Sequence, residues 1–393
     1  MTLQRRPART APPRLRVPAR TTCRRINPDE EPMTKIVVEE DAFLKCIAVI
    51  LDPDTPDEYR HAVADWFSPD EPDFLGWVRQ VQGRYPGLFP AKVVMPGSDD
   101  EFRHHLADAD AVIVERMTIG PAELDVAKRL KVVQKFGHIV NNIDVVACQA
   151  RGIAVEVHRR RINIAVAEHA FALMIALSRR LNQLNGVIDS KRLHEAGYDT
   201  RPFDRRYTGN SNYGRIGGVI PMNGAVFGAL GLGEIGREVA SRCAAFGMTI
   251  LYHQRTRMTP IEECVYGATY VSLGELLERS DYVSVHLPIN ASTRGLIDRA
   301  AFRRMKRGAY LVNVARPDII ERSALMEALD EGRLGGFALD VGYEQPGRPD
   351  EPLLKYKNVI LTPYIAPGTR QNGMKDVEEV CFKMWRRLAT QVS

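Results

Sequence analysis

The sequence predicts an α/β protein with two parallel-sheet domains. Two observations carry this prediction: short apolar runs alternate with amphipathic stretches, and a glycine-rich turn stands between one such run and a helix. The chain has 393 residues, 45% of them hydrophobic, which is enough to bury more than one core. No uninterrupted apolar stretch is long enough to cross a bilayer, so we predict no membrane partner.

Five apolar runs predict the strands of the first domain, and helical patterns such as DDEFRHHLAD and PAELDVAKRL lie between them. A long apolar helix follows over residues 162–181 and ends in basic residues, which helix C-termini favour. Residues 182–223 are polar and Gly-rich without clear periodicity, and are predicted to form a surface excursion. The five runs are KCIAVILDPD, AKVVMP, DAVIVE, LKVVQKFG and IAVEVH.

A second alternation predicts a second parallel sheet. Helical patterns separate its runs, and the final segment, residues 368–393, is predicted to be a helix able to return to the first domain. The runs are AVFGAL, MTILYHQ, DYVSVHLP, GAYLVNVA, GGFALDV and NVILTP.

The positive charge of the chain lies in its first 32 residues. They hold eight arginines and three acidic residues, which accounts for the whole net charge of +5, so the rest carries no basic field and we predict no nucleic-acid partner. This segment also has six prolines and few apolar residues, and is predicted to be disordered. An organelle transit peptide remains an alternative, but the prolines favour an unstructured extension, or a start codon assigned too early with Met33 as the working start.

The cysteines are dispersed and show neither CxxC pairs nor metal-type spacing with histidine. We therefore predict reduced thiols, a cytoplasmic protein and no metal site. The cysteines are Cys23, Cys46, Cys148, Cys243, Cys264 and Cys381.

The strongest chemical signal is GLGEIG, which directly follows one apolar run and directly precedes a helix. Gly231, Gly233 and Gly236 suit a tight turn, close approach of pyrophosphate and close helix packing, and Glu234 and Ile235 lie between them. In this βαβ context the motif predicts a dinucleotide site.

The end of the next apolar run bears on the choice of cofactor. NAD sites usually place an acidic residue there, whereas this chain has Gln254, Arg255, Thr256 and Arg257. Because guanidinium groups pair well with a 2′-phosphate, we predict NADP. The alternative is that both arginines are solvated surface charges and that the cofactor is NAD.

From about residue 130 to 369 the chain resembles the D-isomer-specific 2-hydroxyacid dehydrogenases, which include glyoxylate reductases, phosphoglycerate dehydrogenases, formate dehydrogenase and phosphite dehydrogenase. The pieces that carry the resemblance are VVQKFGHIVNNIDVVACQARGIAV, VAEHAFALMIAL, GLGEIG, SVHLPINASTRGLID, AYLVNVARPDII, GGFALDV and NVILTPYIAPGT.

The resemblance implies two Rossmann-like domains, one flavodoxin-like and one dinucleotide-binding, with the active site in the cleft between them and a homodimer built on the cofactor domains. The implied boundaries are a disordered extension over 1–33, a substrate-binding domain over 34–158 completed by 366–393, and a dinucleotide-binding domain over 159–365. Asp340 matches the residue that holds the nicotinamide carboxamide. The positions that line the cofactor are Leu287, Pro288 and Val314.

The family's catalytic Arg, Glu and His correspond to Arg316, Gln345 and Tyr364, so two of the three side chains differ. Formate dehydrogenases resemble this chain in having Gln at the Glu position. A Gln is a neutral orienting group, and one hypothesis is that Tyr364, assisted by Arg316, donates a proton to the reduced carbonyl. The alternative is that Tyr364 only packs on the substrate or hydrogen-bonds to it, while water or another group supplies the proton.

Two further segments are candidates for substrate binding. The family loop that holds the substrate carboxylate corresponds to Gly137, His138 and Ile139, where Ile139 replaces a glycine. His138 is a candidate acid or ligand, or a histidine that only bonds the backbone. In the basic run before the long helix, Arg160 is the candidate to face the cleft and bind a second anionic group, and a solvated turn is the alternative.

Together these residues predict an NADP-preferring oxidoreductase that transfers a hydride between the cofactor and a small hydroxy or keto substrate, other than a simple 2-keto acid. Two alternatives stay open: a catalytically altered dinucleotide-sensing or scaffold protein of the same fold, and a formate- or phosphite-dehydrogenase-like oxidation.

Overall fold

The computed structural model describes residues 33–209 and 211–389, so the predicted disordered extension, apart from Met33, lies outside the described residues. The first of two parallel sheets has the strand order β2-β1-β3-β4-β5, a flavodoxin-like order. Its strands are β1 (Lys35–Val38), β2 (Lys92–Val94), β3 (Ala111–Val114), β4 (Val132–Lys135) and β5 (Ala154–Glu156).

The second sheet has seven parallel strands in the order β12-β11-β10-β9-β6-β7-β8, and the predicted α/β fold class is confirmed. Its strands are β6 (Val226–Leu230), β7 (Thr249–His253), β8 (Ala268–Tyr270), β9 (Tyr282–Val285), β10 (Ala309–Asn313), β11 (Leu334–Leu339) and β12 (Val359–Leu361). The strand order reverses at β6, which lies between β7 and β9. Ligands of open α/β sheets bind at such a switch point, and the glycine-rich turn directly follows β6.

Helices cover both faces of the sheets. In the first half of the chain they are α1 (Lys45–Leu51), α2 (Asp57–Phe67), α3 (Phe74–Arg84), α4 (Asp99–Leu106), α5 (Pro121–Val126), α6 (Val145–Ala150), α7 (Arg161–Ser178), α8 (Leu181–Leu184) and α9 (Ser190–Glu195). In the second half they are α10 (Glu234–Ala245), α11 (Pro260–Tyr266), α12 (Leu273–Arg279), α13 (Arg299–Arg304), α14 (Arg322–Asp330) and α15 (Arg370–Ala389). Two short 3₁₀ turns cover Pro317–Ile319 and Pro352–Lys355.

One predicted strand is wrong. KCIAVIL forms the helix α1. The strand at this place in the sheet is instead β1, which pairs with β2 and β3. The helix is buried on most of its circumference, with Cys46, Ile47, Val49, Ile50 and Leu51 all inaccessible to solvent. A short apolar run of this kind does not distinguish a buried helix from a buried strand. The strand β8 was not predicted either, because its sequence ATY contains no run of apolar residues.

The long helix α7 ends at Ser178, three residues before its predicted end, because Arg180 adopts a left-handed backbone conformation with φ of 53°. It is long and apolar enough to cross a membrane by length and composition, but 56% of that stretch is buried inside the molecule. Core helices have the same composition, and α7 packs against α10, α15 and the strands β10 and β11.

The last helix, α15, returns to the first sheet. Met374, Val377, Val380 and Met384 belong to the same apolar cluster as the β1 residue Ile36. At the start of α7, the backbone amide groups of Arg161 and Ile162 donate to the buried Asp376 of α15 at 3.0 and 3.2 Å. Both ends of the described chain therefore contribute to the first domain.

Candidate active site in the cleft between the two sheets

The glycine-rich turn after β6 has the shape that a dinucleotide requires. Gly231 has φ of 92°, and a Cβ there would lie 2.9 Å from the carbonyl oxygen of His286. A Cβ on Gly236 would lie 2.3 Å from the carbonyl oxygen of Gly231, so this glycine permits close packing of α10. A Cβ on Gly233 would meet nothing within 4 Å, which leaves open space at the N-terminus of α10. The residues present therefore fit a bound pyrophosphate.

The side chains after β7 differ in their availability to a ribose phosphate. Arg257 makes two hydrogen bonds of 2.8 Å to Glu263, which also accepts from the Tyr252 hydroxyl at 2.7 Å. The Gln254 side chain accepts from the backbone amide of Leu232 at 2.9 Å, bracing the glycine-rich turn. Arg255 is exposed and has no side-chain partner among the described residues. Of the two arginines, Arg255 is the one whose charge is available.

The hydrogen bonds from Arg257 and the Tyr252 hydroxyl lower the pKa of Glu263 to about 2. Its carboxylate is therefore ionised at neutral pH. It offsets the charge of Arg257, so Arg255 is the main source of positive charge for a 2′-phosphate.

Arg316 and Tyr364 line one cavity of about 640 Å³ in the cleft. Arg160, Asn163 and Val314 also line it. The Arg316 guanidinium is exposed and bonds only to the carbonyl oxygen of its neighbour Ala315, at 2.9 Å, within the part of the chain that the structure describes. Its positive charge is thus free to meet a substrate in this cavity.

A second part of the cleft, of about 590 Å³, continues toward the nucleotide turn. Asn163 and Ile235 line both parts, so the two cavities adjoin. Predicted residues that face this part are Ile139, Gly233, Glu234 and Pro288.

A buried carboxylate holds the turn that carries Tyr364. The Asp340 carbonyl oxygen accepts from the Tyr364 amide at 2.7 Å, and its carboxylate accepts from the amides of Ile365 and Ala366 at 2.9 and 3.0 Å. Burial by itself would raise the pKa of Asp340, but hydrogen bonds, first from His169 and Thr362, hold this pKa below its ordinary value. Asp340 is thus an ionised anchor beneath the site.

Tyr364 has a left-handed backbone conformation, with φ of 55°. This conformation costs a non-glycine residue about 1 kcal/mol or more, and such residues concentrate at functional sites. The bonds from Asp340 keep the turn in this geometry while 42% of the Tyr364 surface remains exposed. The phenol is therefore presented to solvent and to the cleft.

Gln345 does not join Arg316 in one cavity. It lines a separate cavity of about 590 Å³, which Tyr364 also lines and Arg316 does not. Tyr364 therefore shares one cavity with Arg316 and another with Gln345, and neither cavity is lined by all three.

The substrate loop of the first domain contacts the second domain through Glu234. The backbone amides of His138 and Ile139 donate to Glu234 Oε1 at 2.6 and 3.2 Å, and Asn163 donates to Oε2 at 2.7 Å. Gly137, with φ of 143°, is the residue that allows this approach, because a Cβ there would lie 2.3 Å from Oε1. The side chain of Glu234, predicted as part of the cofactor site, thus contacts the substrate loop.

The basic run before α7 is divided among several partners. Arg159 pairs with Glu238, and Arg161 pairs with Asp376 and Glu379. Arg160 alone lines the cleft, where its guanidinium is 4.0 Å from the centre of the Phe136 ring and 2.7 Å from Glu115.

The residue before this run, His158, is 3% exposed, and burial lowers its pKa to about 4. The charged groups that face it include Asp376, Glu379, Lys383 and Arg160. Since the unfolded pKa is about 6.5, the unfolded chain binds an extra proton between these values. The contribution of neutral His158 to the free energy of unfolding is therefore complete above pH 6.5 and is lost as the pH falls toward 4.

We expect His158→Gln to reduce the loss of unfolding free energy between pH 7 and pH 5 by about 2 kcal/mol, measured by urea denaturation at both pH values. The exposed His104, replaced by Gln, is the control and should leave the pH dependence unchanged. Burial also lowers the pKa of His286 to about 4. Because His286 is present in the wild type and in both variants, its effect on the pH dependence of the unfolding free energy is the same in all three proteins. Equal pH slopes for His158→Gln and the wild type would contradict the assignment.

Two residues of the site, His169 and Lys135, and the contact of Glu234 with the loop of the first domain were missed from the sequence. The Glu234 contact joins residues far apart in the chain, and His169 is hidden in an apolar helix, where its Nε2 is 3.1 Å from the hydroxyl of Thr362. Lys135 is 6% exposed, lines the cleft and donates to Asn142 Oδ1 at 2.9 Å, and burial lowers its pKa. Its place at the carboxyl end of β4 was a signal that could have identified it.

Comparison with known proteins agrees with this geometry. Residues 171–366 match the model of the D-isomer specific 2-hydroxyacid dehydrogenase NAD binding domain. The chain is 34% identical over 289 residues to a glyoxylate reductase of Korarchaeum cryptofilum, covering 72% of this chain and 81% of that protein. It is 35% identical over 275 residues to a D-3-phosphoglycerate dehydrogenase of Archaeoglobus fulgidus, covering 70% of this chain.

The chain spans 48% of the length of the Archaeoglobus relative. Among solved structures, a glyoxylate reductase from Paecilomyes thermophila matches with a TM-score of 0.53 at 26% identity, over 90% of this chain and 95% of that one. These matches and the predicted resemblance agree: the chain belongs to the D-isomer-specific 2-hydroxyacid dehydrogenase family.

Proposed function

We propose that this protein is an NADP-preferring oxidoreductase that transfers a hydride between its cofactor and a small hydroxy or keto substrate other than a simple 2-keto acid. The observation that carries the proposal is the cavity shared by Arg316 and Tyr364, which adjoins the glycine-rich turn through Ile235 and Asn163. The chemistry that a bound nicotinamide dinucleotide supplies there is hydride transfer.

Arg316, Tyr364 and Gln345 each have a role that their positions support. The free guanidinium of Arg316 binds and polarises the substrate carbonyl. The phenol of Tyr364 donates the proton that the reduced oxygen needs, since it is exposed in the same cavity. Gln345 lines a second cavity together with Tyr364, where a neutral side chain can orient the phenol without competing for its proton.

The proposed substrate class, a hydroxy or keto compound other than a simple 2-keto acid, follows from the residues that differ from the family. Tyr364 and Gln345 replace the histidine and glutamate, and Ile139 replaces the second glycine of the loop. The Arg160 charge, suggested for an extra anionic group of the substrate, is paired with Glu115, so a second anionic group has little support from this residue.

The activity is tested by steady-state oxidation of NADPH against a panel of keto acids, aldehydes and ketones, with formate and phosphite oxidation as a separate arm. We expect a saturable rate with at least one neutral carbonyl compound. Tight cofactor binding without turnover across the panel would favour a dinucleotide-sensing protein, and turnover of formate or phosphite alone would favour that oxidation.

The proposed NADP preference predicts a specific effect of Arg255. Replacing Arg255 with Ala should raise the KM for NADPH by about tenfold and leave the KM for NADH unchanged, because only NADPH carries the 2′-phosphate. Arg257→Ala is the matched control and should have a smaller effect, since Glu263 already holds that guanidinium. An equal change for both cofactors would reject this assignment.

We further propose a homodimer and a cytoplasmic location. The dimer is supported by apolar side chains that the surface excursion exposes, with Ile188 at 71% and Tyr207 at 82% exposure. The cytoplasmic location is supported by the scattered cysteines of the sequence.

A further inference from the structure

Glu234 makes a contact that the nucleotide motif does not require. It is the first residue of α10, beside the proposed pyrophosphate position, yet its carboxylate extends to the first domain. There, Oε1 accepts from two successive backbone amides of the loop, and Oε2 accepts from Asn163. A protein carboxylate thus occupies a pair of N–H groups that face the cleft.

The carboxylate of Glu234 is held in an ordered and largely buried position. Three donors surround the carboxylate, the side chain of Glu234 is 15% exposed, and Gly137 leaves the room that a Cβ would fill. The imidazole Nδ1 of His138 lies 3.5 Å from Oε1. Two adjacent amides directed at one oxygen form an anion-binding arrangement, and here the anion is part of the chain.

Among the described residues no lysine or arginine forms an ion pair with Glu234, although Lys135 is close enough to attract its charge. Lys135 lines the same part of the cleft, but its ammonium bonds to Asn142 and to the carbonyl oxygen of Glu115. Arg160 is paired with Glu115. A substrate carboxylate that approached the loop would compete for the same two amides and meet a like charge in a partly desolvated site.

A neutral polar group of a substrate would be accepted at the same place, unlike a carboxylate. The oxygens of Glu234 retain lone pairs after accepting from the loop and from Asn163. A hydroxyl or N–H group on the substrate can donate to them without displacing the carboxylate, and this charge-assisted bond is favourable.

We propose that Glu234 is a specificity-determining residue: it occupies the loop amides, excludes carboxylate substrates, and accepts a hydrogen bond from a hydroxyl or N–H group beside the substrate carbonyl. Reduction of such a substrate rests on the proposed function, whereas the effect of Glu234 on carboxylate binding does not. The substrate class is an aldehyde or ketone with a neutral donor group next to the carbonyl.

The test uses a matched pair of ketones, hydroxypyruvate and dihydroxyacetone, which differ by a carboxylate in place of a hydroxymethyl group. At saturating NADPH we expect the wild type to prefer dihydroxyacetone. Glu234→Ala, and to a smaller degree Glu234→Gln, should raise the ratio of kcat/KM for hydroxypyruvate over dihydroxyacetone by about tenfold or more. Glu238→Gln is the control one turn along α10, because its carboxylate pairs with Arg159 and Arg242.

Binding of oxamate, a carboxylate that is not reduced, separates this inference from the proposed function. We measure it by calorimetry on each NADPH-loaded protein and expect Glu234→Ala to bind oxamate about tenfold more tightly than the wild type and Glu238→Gln. If no variant turns over any ketone but this difference appears, the proposed function fails and the role of Glu234 stands. Equal oxamate affinity in the wild type and both Glu234 variants would overturn the inference, and Glu234→Gln keeps the test valid if Glu234→Ala does not fold.

Discussion

Tyr364→Phe is expected to lower kcat about 100-fold with the best carbonyl substrate, because general acid catalysis of this kind contributes at least that factor. The change removes one oxygen. The phenol hydroxyl has no hydrogen-bond partner among the described residues, and the turn is held by backbone bonds to Asp340, so the fold should be unaffected. The KM should change little, since the proposed contact of Arg316 with the substrate is unchanged.

Binding of the substrate gives this prediction a second readout. Loss of the proton donor should lower kcat and leave the dissociation constant of the substrate nearly unchanged, whereas loss of a packing contact should raise that dissociation constant. Tyr356→Phe is the control, because its hydroxyl bonds to Asp330 on the surface, away from the cleft. If Tyr364→Phe turns over the true substrate at the wild-type rate, the proton comes from water or another group.

Gly233→Ala is expected to weaken NADPH binding about 100-fold, measured by quenching of protein fluorescence, because the added methyl group occupies the space that the pyrophosphate needs. The structure makes this change selective. The backbone φ of Gly233 is −75°, which alanine adopts freely, and its Cβ would meet nothing within 4 Å. The melting temperature without cofactor should therefore stay within a few degrees of the wild-type value.

Gly236→Ala is the contrasting variant. Its Cβ would lie 2.3 Å from the carbonyl oxygen of Gly231, a backbone atom that cannot move aside, so we expect a loss of about 2 kcal/mol or more in unfolding free energy. A Gly233→Ala protein that binds NADPH as the wild type does would contradict the placement of the pyrophosphate on this turn.

Much of the fold was predictable because it depends on local patterns. Ten of the predicted apolar runs are strands, and the one that is not, KCIAVIL, packs as a helix buried on most sides. Such a run has no periodicity that distinguishes a buried helix from a buried strand. Its helical structure is set by packing against the neighbouring strands and helices.

The site was predictable in part. Residues that follow a strand directly, such as Gly233, Arg316 and Tyr364, lie at the cleft because the carboxyl ends of parallel strands share one edge. The available charge was not predictable: Arg255 and Arg257 look alike in the sequence, and only the position of Glu263 on α11 separates them.

The sequence by itself determined the alternation of strands and helices, the dinucleotide turn, and the presence of Gln345 and Tyr364 where a glutamate and a histidine were expected, because each is a pattern within a few consecutive residues. Only the tertiary structure decided that Tyr364 shares one cavity with Arg316 and another with Gln345, and that Glu234 occupies the amides of His138 and Ile139. The physical reason is that these contacts join segments from different strands and domains. Their geometry is set by how the two sheets pack across the cleft.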